Sequence, residues 1–530
     1  MNALFANSFR GAGFPLPGLT LALLCAAYLL TGILGHDPWK TDDAIHLGIA
    51  WNFYNGGGLL LPRVGGEPLF GTTPLYHWVA ALTAWATQWV LPFHDGARLA
   101  TPVFGALFLF FLFKAATALN DRDAGLVAPV VAIGTLGLLV PVHDAQPAIA
   151  LLAMAALAYW GLALSPAKPL VGALWLGIGC GAAVLAGGPA GAAPVLPLLL
   201  LPLLRRTWLA FFIALYAAIA VAALWPTFLA LRTPAYLVGW WHEELALMAF
   251  QKGLRTDHLE LLAWFSWPAL PLAAWAAWVQ RRQWRDWNVL APALGTVLAL
   301  AWFLGHEPRP LQALPLLAPL ALLAAAGAHR LRRGAANAFD WFGMMTFTLV
   351  IGLVWLGGIA MWTGWPAQIA RNFAKLEPGF VPQFSYLALG LALAFSAGWI
   401  AALLRLPRSP WRAAVRWTAG LTAMWGVLIA LWLPWIDYGK TYRGVMRSLR
   451  AAVPQDAGCV AGRNVGLAQR ALVDYFAGIR LQPAGRSECR WLLVQGSAKH
   501  ATAPAGWVRV WEGHRPSDRS ERLRLYRREE

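Results

Sequence analysis

Residues 75–92, LYHWVAALTAWATQWVLP, are apolar enough to cross a membrane, and whether they do decides the topology of everything after them. Counted as a crossing, they would turn every later loop over and put the arginine clusters outside. The pattern argues otherwise. His77 and Gln88 lie eleven residues apart, three helical turns, while Trp78, Trp85 and Trp89 fall on another common face between Pro74 and Pro92. That is the pattern of a helix lying in the membrane interface, and the segment is left out of the spans.

The rest of the chain is a membrane protein by composition. Of 530 residues, 59% are hydrophobic and only 13% charged, with 31 Trp and 36 Pro, and the mean hydropathy is +0.54. No soluble globular domain has that balance. Apolar runs of roughly 17 to 25 residues, each long enough to cross about 30 Å of hydrocarbon as helix, predict thirteen spans. They fall at 19–35, 98–118, 124–142, 147–164, 170–186, 191–204, 208–230, 260–279, 288–304, 313–328, 341–361, 385–404 and 414–435. Barrels, fibres and nucleic-acid-binding arrays are excluded. The run from Leu19 has no small-residue cleavage site and reads as a retained anchor.

With a cytoplasmic N-terminus, alternate loops carry Lys114 and Arg122, Lys168, Arg205 and Arg206, Arg281, Arg282 and Arg285, Arg330, Arg332 and Arg333, and Arg405, Arg408 and Arg412. Those are the basic loops expected inside. The opposite loops collect Asp37, Asp42, Asp43, Glu67, Asp144, Glu243, Glu244, Asp257, Glu260 and Glu307, so any chemistry belongs outside. The net charge of +17, 42 basic against 25 acidic residues, is thereby read as topology. No basic stripe with interleaved aromatics points to nucleic acid.

After Pro434 the composition changes. Residues 436–530 hold 17 basic and 9 acidic residues, short apolar strands at Trp491 to Val494 and Trp507 to Trp511, and an amphipathic helix near Leu467 to Phe476. The expected architecture is an all-α polytopic bundle over 1–435, whose first periplasmic loop (36–97) carries interfacial helices, plus a small α/β periplasmic domain over 436–530. In an oxidising periplasm Cys459 and Cys489 can pair; Cys25 and Cys180 lie within spans as packing residues.

The first loop holds the densest polar cluster. After Pro38 the chain can enter a short helix with Asp42 and Asp43 in its first turn and His46 on the same face as Asp42, until Gly56 to Gly58 end it. Acids in a first turn also complement the helix dipole. A second acidic site at His143 and Asp144 shifts the weight toward function, because ionisable groups at the membrane edge are expensive to keep. Later external loops add Trp240, Trp241, His242, Glu243 and Glu244, then Lys252, Arg255 and His258, then His306, Glu307 and Arg309. Interface anchoring accounts for the Trp pair and snorkelling for Lys252 and Arg309, taken singly. There is no GxxxxGK[ST], HExxH or CxxC, and the Asp and His residues offer a divalent metal ligands without a diagnostic spacing.

The order of an acidic pair early in the first loop followed by PRxxGEPxFxxxPLYxW resembles the bacterial lipid A aminoarabinose transferases and the related protein O-mannosyltransferases. Here it reads Asp42, Asp43, then Pro62, Arg63, Gly66, Glu67, Pro68, Phe70, Pro74, Leu75, Tyr76 and Trp78, with Asp144, Gly188-Pro189 and Leu314, Pro315 and Pro319 continuing the likeness. The resemblance implies a C-type glycosyltransferase (GT-C) fold, a polyprenyl-phosphate sugar as donor, a segment matching 75–92 along the membrane, and Asp42 as the catalytic acid of the pair. Two departures stand out. Thr72 occupies the place of the family's lysine, and no arginine of the later loop is evident around Ala246 to Gln251. Arg63, Lys252, Arg255 or Arg309 would have to steady the phosphate, or the donor or activity differs.

A sugar phosphodiester carries a leaving group that departs anionic, so the chemistry requires a base for the acceptor and cations for the phosphate. Asp42 is the expected base, with Asp43 and Asp144 orienting it or joining it around a metal; Tyr76 joins the cations at the donor, and His46, His143, Glu67, Trp240 and His242 support. The expected protein is a monomer in a bacterial inner membrane, taking a lipid-linked sugar to a lipid A, surface glycan or protein acceptor with inversion, and binding no nucleic acid. A lipid or lipid-linked sugar transporter is the alternative; it calls for interrupted helices and polar groups near the midplane, whereas these spans are almost purely apolar.

Overall fold

The computed structural model describes residues 14–250, 253, 255–327, 330–484, 489–498, 504–518 and 520–529. After α1 (Gly18–Leu30) comes the first loop, with α2 (Asp42–Tyr54), the hairpin β1 (Arg63–Val64) and β2 (Glu67–Pro68), α3 (Leu75–Thr87) and α4 (Phe93–Arg98). Gly65 and Gly66 make the hairpin turn at φ of +57° and +89°, the pair of positive values a type I′ turn needs. α3 has 13 residues, about 20 Å at 1.5 Å each, too short for the hydrocarbon. Tyr76 and His77 are wholly buried on one side of it, while Trp85 and, just beyond, Trp89 are 61% and 83% exposed.

Further helices follow: α5 (Ala100–Leu119), α6 (Arg122–Ile133), α7 (Leu136–Leu139), α8 (Pro147–Leu164), α9 (Pro169–Ala192), α10 (Leu201–Leu204), α11 (Trp208–Ala222), α12 (Leu224–Arg232), α13 (Pro234–Leu247), α14 (Thr256–Phe265), α15 (Ala269–Val279), α16 (Trp287–Leu304), α17 (Pro310–Ala313), α18 (Leu317–Gly327), α19 (Arg333–Thr363), α20 (Ala367–Leu376), α21 (Tyr386–Arg405), α22 (Arg412–Lys440) and α23 (Arg443–Ala452). Among the described residues 8 helices are long and apolar enough to cross a membrane, or up to 11 if three bent pairs each count as one span. That is fewer than the thirteen expected crossings, and two of the expected segments are not among them. α1 is only 13 residues long. Residues 191–204 give a 3-10 stretch, Leu196–Leu200, and the four-residue α10, because Pro194, Pro197 and Pro202 withhold the donors a regular helix needs.

The bent pairs are α6 with Leu136–His143 (70°), α11 with α12 (41°) and α14 with α15 (89°). Pro268 stands at the break between α14 and α15. Elsewhere small residues let helices close up: a Cβ on Gly161 would meet the Leu176 backbone nitrogen at 2.2 Å, and one on Gly177 the Ala214 carbonyl oxygen at 2.3 Å, locking α9 between α8 and α11.

α22 runs past the composition change at 435–436 with Pro434 inside it, so the membrane part passes into the C-terminal domain through a helix. That domain contains β3 (Val460–Arg463), α24 (Leu467–Leu472), β4 (Leu481–Pro483), β5 (Trp491–Ser497), β6 (Trp507–Gly513) and β7 (Glu521–Arg528), in the order β4-β3-β5-β7-β6. β3 lies parallel to β4 and β5; β7 is antiparallel to β5 and β6. Cys459 and Cys489 form a disulfide with Cα atoms 5.3 Å apart. The domain rests on the first loop. Ala44 of α2 belongs to its apolar core with Met446, Leu472 and Leu493, and a Cβ on Gly48 would stand 2.6 Å from that of Ala471. Ion pairs Glu67–Arg470 (2.5 Å) and Lys40–Glu521 (2.6 Å) edge the contact.

Candidate active site

α2 starts at Asp42, and its first turn faces a cavity of about 740 Å³ whose lining includes Asp42, Asp144, Gln146 and Arg309. The bends supply the walls. Leu136, Gly137, Val140 and Pro141 come from beyond the break after α6, Trp264 and Phe265 from the end of α14, and Pro310, Leu311 and Gln312 from α17. Two carboxylates and one guanidinium thus face an otherwise largely apolar space.

Asp43, one residue on, points elsewhere. Its Oδ1 accepts from Arg98 Nε (3.0 Å) and the Ala145 N–H (2.9 Å), and its Oδ2 from Arg98 Nη2 (2.9 Å) and the Trp39 N–H (3.0 Å). Burial raises the pKa of such a carboxyl, but the charge and hydrogen bonds of Arg98 prevail and hold it at about 2. Arg98 is wholly buried. Besides Asp43 it donates to the carbonyls of His36 and Asp37 (2.9 Å each) and to Asp95 Oδ1 (3.2 Å), so all five of its N–H groups are used. Asp43 and Arg98 pin α2, α4 and the segment before α8 together, which positions Asp42 and Asp144.

Desolvation pushes the Asp144 carboxyl up to about 7; the negative charge of Asp43 adds to this, and Arg98 and Lys440 oppose it. Its backbone is held as well. The Thr101 hydroxyl donates to the Asp144 carbonyl (2.7 Å) and accepts from the Tyr76 hydroxyl (2.7 Å). Tyr76 therefore braces the site from behind rather than lining it.

The other expected residues scatter. His46 stands one turn from Asp42, but its ring bonds His77 (3.1 Å), and desolvation takes its pKa down to about 4. His143 is turned into the helices, its ring nitrogens on the carbonyls of Leu139 and Tyr28. Arg63 stays on its hairpin, reaching the Gly66 carbonyl (3.4 Å), and Glu67 is taken by Arg470. Arg255 is exposed and paired with Asp257 (2.7 Å); Lys252 lies outside the described residues. Trp240 packs on Trp225, and His242 edges a different, almost wholly apolar cavity of about 600 Å³. The donors do not fit a metal: no three His, Cys, Asp or Glu side chains group as a site among the described residues, and Asp43 and His143 are already engaged.

Sequence reasoning missed Arg98, Gln146 and Lys440. A signal existed for the first: His94, Asp95 and Arg98 crowd one turn at the start of an apolar run, where single charges are costly and a cluster implies partners.

No protein-family model and no curated protein matches the chain. Among solved structures it is similar to the lipid A aminoarabinose transferase ArnT from Cupriavidus metallidurans bound to undecaprenyl phosphate, at 13% identity and a TM-score of 0.70 over 96% of this chain and 97% of that one. The apo state of the same protein gives 14% and 0.67 over 96% of each chain. The archaeal oligosaccharyltransferase AglB from Archaeoglobus fulgidus, in complex with an inhibitory peptide and a dolichol-phosphate, gives 10% and 0.50 over 90% of this chain and 69% of that one. At such identities the likeness is one of fold. The chain has the GT-C fold of multi-pass membrane proteins, and within that class the fold is that of ArnT.

Proposed function

We propose that the protein is an integral-membrane glycosyltransferase, moving a sugar from a polyprenyl-phosphate donor to an acceptor on the periplasmic face of a bacterial inner membrane. The observation that carries this is the shared cavity: Asp42, Asp144 and Arg309 line one space, in a fold that in ArnT was solved with undecaprenyl phosphate bound. Asp42 takes the proton of the acceptor hydroxyl or amine. The acceptor oxygen or nitrogen bonds the sugar's anomeric carbon from the far side as the carbon–oxygen bond to the phosphate breaks. The electron pair leaves with the polyprenyl phosphate, already anionic and in need of no proton, and the sugar carbon inverts. Arg309 steadies the departing phosphate, filling the role left open by Thr72. Asp144, neutral below about pH 7, keeps a second negative charge away from that phosphate. The acceptor is a lipid A, a surface glycan or a protein, and the domain over 436–530 stands on the acceptor's side.

Mass spectrometry of lipid A, surface polysaccharide and periplasmic proteins tests this, comparing cells with the gene, without it, and with Asp42→Asn. A sugar increment on one of the three, present only with the intact gene, is expected. An increment that persists with Asp42→Asn removes the proposed base. Unaltered glycans with an altered leaflet distribution of the lipid-linked sugar would favour a transporter instead.

A further inference from the structure

We propose that Lys440 is a second cation for the donor phosphate, kept ready on the indole of Trp39, whose backbone is bonded to the carboxylate next to Asp42. This rests on the glycosyltransferase reading. Several cations around the first loop and the C-terminal domain are committed to carboxylates: Arg98 to Asp43 and Asp95, Lys40 to Glu521, Arg443 to Asp37, Arg470 to Glu67 and Arg515 to Asp518. Lys440 is held by an aromatic ring instead. It ends α22 with an exposed side chain and holds no carboxylate among the described residues; its Nζ lies 4.3 Å from the centroid of the Trp39 ring.

That ring is built in from two sides. The Trp39 backbone N–H donates to Asp43 Oδ2 (3.0 Å), the carboxylate next to the proposed base, and its indole N–H donates to Asp437 Oδ1 (2.9 Å), three residues before Lys440 on the same helix. The ammonium is thus placed by a residue that is itself tied to the site. Its charge reaches Asp144 on the cavity wall, where it opposes the upward shift of that carboxyl. An exposed cation–π contact is weaker than a charge-assisted hydrogen bond to phosphate, so the ring holds the ammonium without competing for it. The four-carbon stem lets the ammonium leave the ring for an incoming phosphate oxygen, which a fixed guanidinium would not do as readily. Arg309, paired with Glu307, and Lys440, with no carboxylate partner among the described residues, would then bring two positive charges to a doubly charged leaving group.

The test uses the full-length protein in phosphatidylcholine nanodiscs, with farnesyl phosphate as probe and farnesol as its uncharged match. Wild type should bind the phosphate more tightly than the alcohol. Lys440→Gln should raise the Kd for farnesyl phosphate about tenfold, leave farnesol unchanged, and melt as wild type does; Lys440→Arg should restore most of the loss. Lys440→Gln binding farnesyl phosphate as wild type does, or losing farnesol to the same degree, overturns the proposal. If wild type itself fails to discriminate phosphate from alcohol, the donor reading of the cavity falls together with it, which separates the two failures.

Discussion

Asp42 and Asp43 are neighbours on one helix, and the turn of about 100° between successive residues sends the first into the cavity and the second into the Arg98 clamp. Their variants should separate accordingly. Asp42→Asn is expected to lower transfer by about 10²- to 10⁴-fold, the usual worth of a positioned base, with unchanged melting in detergent. Arg98→Ala is expected to lower stability by about 3–5 kcal/mol, since it strands a buried carboxylate, and equal melting of the two variants would refute the division of labour. Asp144 makes a pH prediction. Its folded pKa is raised to about 7, so the carboxyl becomes charged as pH rises through that value and then repels the anionic donor. The donor KM should climb above about pH 7, and Asp144→Asn should flatten that rise. The same sign holds for stability: this group binds its proton more tightly folded than unfolded, so its contribution falls from the ordinary carboxylate range up to about pH 7. A donor KM that ignores pH in wild type would dismiss Asp144 from the site.

Among the elements, the broken helices matter most, because their breaks wall the cavity. α9 has its own break at Gly188, where φ is +69° and an added Cβ would stand 2.2 Å from Glu244 Oε1. Glu244 in turn accepts the Ala190 N–H (2.9 Å), a donor freed by the kink. Gly188→Ala should therefore cost about 1–3 kcal/mol for the left-handed backbone and displace the Glu244 carboxylate as well. Thermal unfolding of the purified variant reads this; a melting point equal to wild type would show that the backbone relaxes there without penalty.

At the scale of the whole molecule, the C-terminal domain is stapled within itself and onto the first loop. The disulfide closes a loop of 30 residues, and opening it with Cys459→Ser and Cys489→Ser should cost the domain about 3–4 kcal/mol by loop entropy, seen as faster proteolysis after Arg463; unchanged proteolysis would make the bond dispensable. Labelling from outside intact spheroplasts should reach a cysteine placed by Arg509→Cys and spare one placed by Gln283→Cys, and the reverse pattern would invert the topology. Much of this was legible in the sequence alone. The apolar helices, the short helix α3 within 75–92, α2 with Asp42 at its start and the strands at 491 and 507 all follow from spacing within a few turns, where helix and strand geometry leaves little freedom. The short α1 and the irregular stretch at 191–204 came from chain length and proline chemistry, which hydropathy does not weigh. Only the tertiary structure decided which aspartate of the pair is free, that His143 is turned away, and that Arg309 rather than Arg63 or Arg255 shares the cavity with Asp42. It also brought Trp39 to Asp437, 398 positions along the chain. Such pairings depend on how distant helices pack and on which buried polar groups must find each other, and no local pattern in the sequence encodes that.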